Sequence, residues 1–268
     1  MSKGLSKTLN KKQEKEFKRF LEAAPFNFCD GFCDRCNFAG TCSISRQELA
    51  FQLKRQKEGK DPNDTNAFLE ELSKNFKKII FFLEEELKKQ GIKPAEIEIK
   101  EEDFIKPEKE LICREALKLN KLIFSLIREI ETDLENTRPW YLISLQLEII
   151  DLSYYGGFIY NKLIRALISK DFERKNKDNM EFVIPDSEIS SCLALCALEN
   201  SEICLKNIFN LINEVDVRYK VKIDRILKLI EKIKLGINKR FPKAKYFKDK
   251  IIFHGAFISL NQQKRAKF

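Results

Sequence analysis

Apolar residues recur at helical spacing along almost the whole chain. Phe17, Phe20 and Leu21 fall at i, i+3 and i+4 in a basic segment over 10–24, and Pro25 ends it. After a cysteine-dense stretch, Ser43 or Ser45 is placed to cap a helix running to Lys57. Glu48, three residues after Ser45, completes a capping-box pattern. Gly59 and the run Asp61-Pro62-Asn63-Asp64 predict a turn. A long helix is expected from Thr65 to a stop at Gly91, with Phe68, Leu72, Phe76, Ile79, Ile80 and Leu83 in its apolar set.

Residues 92–106 read as irregular, and AEIEIKE is the only strand-like alternation in the first half of the chain. Four further helices are expected over about 107–136, 139–169, 186–214 and 216–240. A polar loop at 170–184 separates the middle two, and an extended tail containing Pro242, His254 and Gly255 follows the last. Long helices with mostly short connections pack antiparallel. The predicted fold is therefore mainly α: an N-terminal four-cysteine metal-binding module followed by an antiparallel helical bundle. Residues 1–91 hold the module and the long helix, and residues 107–268 hold the bundle and a basic tail. Gly156–Gly157 sits inside a predicted helix at about 1 kcal/mol per glycine, which calls for a close neighbour, a kink or a ligand against the backbone.

Composition narrows the function classes. One His among 268 residues excludes His-rich metal enzymes, and low Gly and Pro exclude collagen-like and turn-dense chains. No segment resembles a secretory signal and no apolar run spans a bilayer, so a cytoplasmic protein without membrane contact is expected. In a reducing cytosol, clustered cysteines point to metal binding or redox chemistry rather than disulfides.

The net charge of +9 is uneven: +4 over residues 1–28, +12 over 216–268, and −7 between. A basic end can be a nucleic-acid footprint. The bias of 37 Lys to 13 Arg weakens that reading, because base recognition leans on the arginine fork.

The sharpest motif is FNFCDGFCDRCNFAGTC. Cys29, Cys33, Cys36 and Cys42 follow Cys-x3-Cys-x2-Cys-x5-Cys, four soft ligands in one short stretch. Structural zinc uses two knuckles with a longer spacer between them. The contiguous set favours a 4Fe–4S cluster, with zinc as the second candidate. The Cys-x2-Cys-x5-Cys core resembles cluster-binding segments of iron–sulfur nucleases and SPASM domains, whose other motifs are missing here. The first three cysteines match the radical-SAM triplet, but the chain lacks alternating strands and a glycine-rich SAM segment, and Cys42 would fill the open iron. The pattern is also similar to that of uncharacterised bacterial helical proteins with a CERCPF-like motif, a DPxDP-like turn and a long helix. Matching pieces are Asp34-Arg35-Cys36-Asn37-Phe38, the turn at 61–64, Arg165-Ala166-Leu167 and Phe241-Pro242-Lys243-Ala244, with Asn37 in place of a proline. That resemblance implies a shared fold and site and no activity.

Two further sets carry alternatives. Cys192, Cys196 and Cys204 share one stripe of a helix, as small core residues do; Cys113 and His254 are the remaining soft candidates for a second metal site. Ser144, Glu148, Asp151, Tyr155, Lys162 and Arg165 line one side of the 139–169 helix. They fit either an acid–base site inside the bundle, with Tyr155 or Lys162 acting, or a solvated outer face. The functions in play are thus a metal-binding scaffold or electron-transfer protein with a protein partner, an enzyme, and a nucleic-acid-associated protein.

Overall fold

The computed structural model describes residues 15, 18–19, 25–62, 64–92, 105–137, 139–176, 185–212, 217–251 and 253. The expected strand-like piece at 95–101, most of the expected 10–24 helix and His254 lie outside them. The chain forms two compact units: Met1–Cys36 with Ile105–Phe268, and Asn37–Phe104.

The smaller unit is built on α1 (Ser43–Lys57) and α2 (Thr65–Lys89). The expected capping box does not form. The helix already begins at Ser43, with Cys42 at the cap in extended conformation, so Ser45 lies inside it. The turn before α2 is closed as its residues dictate. Asp64 accepts N–H bonds from Asn66 and Ala67 at 3.0 and 3.3 Å, and Arg55 ties the turn down through Asp61 O and Asp64 Oδ2 at 2.6 and 2.9 Å. At the other end Gly91 takes φ +73°, the left-handed stop expected after a helix.

The larger unit is a four-helix bundle of α3 (Leu111–Thr137), α4 (Pro139–Lys175), α5 (Asp186–Ile212) and α6 (Val217–Arg240). α4 packs on α3 and α5, and α6 closes the ring against α3 and α5. Cross-links fix antiparallel neighbours. Tyr219 at the start of α6 donates to Asp133 near the end of α3 at 2.7 Å, while Arg240 at its end pairs with Glu110 at 2.8 Å. One stripe each of α3, α4 and α6 and the whole circumference of α5 over 189–198 supply the core, with Leu119, Ile123, Leu152, Ile159, Leu193 and Ile230 among its fully buried side chains.

α4 runs six residues past the expected 169. Asp171 pairs with Arg174 and Lys175 at i+3 and i+4, and Glu173 accepts from Ser187 N–H and Oγ at 3.0 and 2.6 Å, capping α5 across the connection. The expected extended tail begins instead with a 3-10 turn, Ala244–Phe247. Phe241, Ala244 and Phe247 are buried there and close the end of the core. Gly156 is explained by close approach: a Cβ there would lie 2.9 Å from Asn120 Oδ1 and 3.6 Å from Ile123 on α3. Nothing in the structure explains Gly157, which faces open space.

Part of the basic end is paired on the bundle. Arg218, Lys222, Lys232, Lys234, Arg240 and Lys248, all from the basic end, pair with Asp133, Glu129, Glu115, Glu202, Glu110 and Glu199. No helix among the described residues is long and apolar enough to cross a membrane.

Candidate metal centre

The loop Cys29–Cys36 belongs to the bundle unit and is built onto α4 and α5. A 3-10 turn, Pro25–Phe28, leads into it, packs on α5 and buries Phe28 in the core. Asp30, wholly buried, turns the chain by accepting the Phe32 N–H at 3.3 Å, and its carbonyl accepts the Tyr154 hydroxyl at 2.5 Å. Gly31 between them has φ +82°, and a Cβ there would fall 2.5 Å from Tyr154 Oη. Only glycine meets both demands. A second 3-10 turn, Cys33–Arg35, follows, and the Cys36 N–H donates to the Cys33 carbonyl at 3.1 Å. Two cysteines thus bracket one tight turn, the spacing metal knuckles use.

Arg35 is the anchor. Its guanidinium pairs with Asp151 at 2.5 Å, with side chains only 10% and 1% exposed, and stacks on the Phe32 ring at 4.2 Å. Phe32 in turn packs on Tyr154 and Tyr155, with centroids 4.2 and 5.5 Å away. Asp151, Tyr154, Tyr155, Phe158 and Lys162 are spaced i, i+3, i+4, i+7 and i+11, so α4 presents them as one face. Burial pushes Tyr154 up to about 12, and the neighbouring Asp30, Cys29 and Cys33 add to it. Burial also pulls Lys162 below the usual lysine range, with Arg165 adding to the shift and Cys29 and Asp30 opposing it. The Cys29 thiol is pushed up, again chiefly by burial.

None of the eight cysteines is joined in a disulfide. Cys29, Cys33 and Cys36 are half-buried in the bundle unit. Cys42 is buried in the smaller unit, where its N–H donates to Phe38 O at 2.8 Å and its carbonyl accepts from Arg46 N–H at 3.0 Å. Among the described residues, no three His, Cys, Asp or Glu side chains are grouped closely enough to hold a metal ion. Cys113, Cys192, Cys196 and Cys204 are buried core residues, as the stripe on α5 suggested for the last three. Hydrogen bonding to Cys196 and burial push the Cys192 thiol well up, which leaves it a poor ligand.

The polar side of α4 is not a solvated face. Glu148, Asp151 and Tyr155 are 3%, 1% and 0% exposed, whereas Arg165 is exposed and paired twice with Asp186, at 2.9 and 2.7 Å. The Ser144 side chain lies outside the described set. Sequence reasoning found these residues but could not find their burial. The signal that was available is Arg35 itself, a cation in a cysteine loop with no acid beside it except Asp34.

A surface groove of about 530 Å³ between α3 and α4 is lined by Phe124, Arg128, Ile150 and Tyr154, among others, and by none of Glu148, Asp151 and Tyr155. Glu148 Oε2 and the Tyr155 hydroxyl are buried without a hydrogen-bond partner. Burial raises Glu148 above the ordinary 4.5, and Asp151 adds to that against the opposing Asn207 bond.

A raised carboxyl makes the folded state the better proton binder. Its stability contribution is full below 4.5 and is lost as pH rises through the folded value. Glu148→Gln is expected to flatten that loss: the variant should be more stable than wild type at pH 8 and similar at pH 4. Parallel denaturation curves across pH check this.

No protein-family model matches the chain, and neither does any curated protein or solved structure.

Proposed function

We propose that the chain is a four-thiolate metal protein. Cys29, Cys33, Cys36 and Cys42 are its ligands, a 4Fe–4S cluster is the preferred occupant over zinc, and the helical bundle is the mount. The reading is carried by one observation. Three of the four cysteines sit in a loop bound to buried groups of the bundle through Arg35–Asp151 and Tyr154–Asp30. A loop with no metal role has no need of a buried ion pair, which is weak as a source of stability and useful for fixing geometry.

The donor set is all-thiolate and soft. Such a cluster supplies one-electron redox chemistry when bound. The surrounding residues do the rest. Arg35 and Lys162 bring positive charge to a site that gathers negative charge, Gly31 admits the tight approach to Tyr154, and Phe32 shields the loop's inner side. With four protein ligands no coordination position is left for a substrate, so the role is electron transfer or a metal-ordered scaffold for a protein partner. The nucleic-acid reading has less support, because part of the basic end is already paired on the bundle and its cations are mostly Lys rather than Arg. The enzyme reading has less support, because the groove beside α4 is lined by none of Glu148, Asp151 and Tyr155.

Anaerobic purification tests the choice of metal. A brown protein absorbing near about 400 nm and bleaching with dithionite is expected of the cluster. A colourless zinc protein would keep the ligands and replace the redox role with the scaffold.

A further inference from the structure

Two cations serve the cysteine loop, and only one of them has its charge compensated. Arg35 is held 2.5 Å from Asp151, so that pair is neutral as a unit. Lys162 is different. It is half-buried, and its ammonium rests 5.0 Å above the Phe158 ring. Among the described residues it makes no hydrogen bond and no ion pair. Asp186, an acid within its field, is already engaged by Arg165 and Ser169. Asp30 is another, but its carboxyl accepts the Phe32 N–H inside the loop. A cation taken from water without a counter-ion is costly, and an aromatic face replaces only part of what water supplied. Such a group calls for an anion beside it.

The contacts say where that anion sits. Phe158, under the ammonium, stacks on Tyr154 with centroids 5.7 Å apart. The Tyr154 hydroxyl donates to the Asp30 carbonyl, next to Cys29. Lys162 and Cys29 also lie in each other's field: the ammonium favours the Cys29 thiolate, and Cys29 favours the ammonium. A cluster held by four thiolates carries a charge of about −2, and about −3 after it accepts one electron. A fixed positive charge nearby therefore stabilises the reduced state more than the oxidised one.

We propose that Lys162 sets the reduction potential of the cluster, its uncompensated charge favouring the one-electron-reduced state. This inference rests on the four-thiolate reading. Lys162 supplies no ligand and acts through its field alone.

The test is an anaerobic potentiometric titration of the full-length protein, with dithionite as the electron donor. The cluster absorbance is followed, and iron is measured on the same samples. A unit charge about 10 Å from a redox centre, at an effective dielectric of about 20, changes the reduced-to-oxidised ratio on the order of tenfold. Lys162→Met keeps an unbranched stem on Phe158 and deletes the charge. At a fixed potential its ratio should fall about tenfold, which is a midpoint lower by about 59 mV for a one-electron couple, with iron content unchanged. Lys162→Arg keeps the charge and should stay within about twofold of wild type. Arg174→Gln removes an exposed cation about three turns further along the same helix and should also stay within about twofold.

An iron-loaded Lys162→Met protein with the wild-type potential overturns this inference and leaves the metal reading standing. So does a Lys162→Arg potential as low as that of Lys162→Met, or an equal shift in Arg174→Gln. Loss of iron from Lys162→Met and from a second uncharged variant, Lys162→Gln, would make the lysine a support of the loop rather than its tuning charge, and overturns the inference too. A wild type without iron overturns both this inference and the cluster reading.

Discussion

Asp151→Ala should be among the most damaging single substitutions in the bundle, at about 3 kcal/mol or more. The reason is asymmetry. A buried ion pair adds little net stability, but removing one partner strands the other in a place where water cannot reach it, at about 3–5 kcal/mol. Arg35 is 10% exposed and held over the Phe32 ring, so it cannot turn outward without unpacking Phe32 from Tyr154 and Tyr155. The loss should also be local in a telling way. Protease cleavage within residues 29–36 should rise before the helices melt, because the anchor of that loop has gone. Asp151→Asn, which keeps an acceptor at the same place, should cost less. Arg165→Gln is the control: it breaks a bidentate pair with Asp186, but the partners are 43% and 33% exposed, and such pairs are worth under about 1 kcal/mol. Comparable losses in Asp151→Ala and Arg165→Gln, measured by chemical denaturation, would mean that the buried pair is not the anchor.

Cys36→Ser should have the second large effect, and it should fall on the metal rather than on the core. Cys36 is half-buried and outside the bundle core, so truncating sulfur to oxygen removes little packing. As a ligand, though, it holds one corner of a site whose binding energy is folding energy for the loop. The variant is expected to lose most of its bound metal and to become protease-sensitive across residues 26–42, while the thermal transition of the bundle stays close to wild type. Cys192→Ser sets the contrast. It places a hydroxyl in the α5 core, where Cys192 is 1% exposed, and should lower the bundle transition without touching metal content. Equal protease resistance of Cys36→Ser and wild type would remove the idea that the metal orders this segment.

The helices were legible because their signals are local. Phe68, Leu72 and Phe76 mark α2 by spacing, Gly91 and Asp64 mark its ends by conformation and capping, and Pro139 marks the start of α4. The end of α4 was not legible, because what extends it is partly a contact with the next helix: Glu173 reaching Ser187. The same distinction runs through the site. The four cysteines stand out by spacing alone. Their support does not, since Arg35 and Asp151 are 116 residues apart and nothing local marks Asp151 as buried rather than solvated. A polar face at helical spacing reads the same whether it meets water or another segment of the chain. Only the tertiary contact decides, and here it turns Glu148, Asp151 and Tyr155 inward. The pairing of the basic end with Glu110, Glu115, Glu129 and Asp133 is of the same kind: the charge asymmetry was visible, its internal use was not.

The account rests on four thiolates holding one metal centre. Its most direct test is the iron, acid-labile sulfide and zinc content of anaerobically purified protein, beside the same measurement on Cys36→Ser. About four iron and four sulfide per chain in wild type, lost in the variant, is the predicted result. A folded wild type that contains neither iron nor zinc would contradict it.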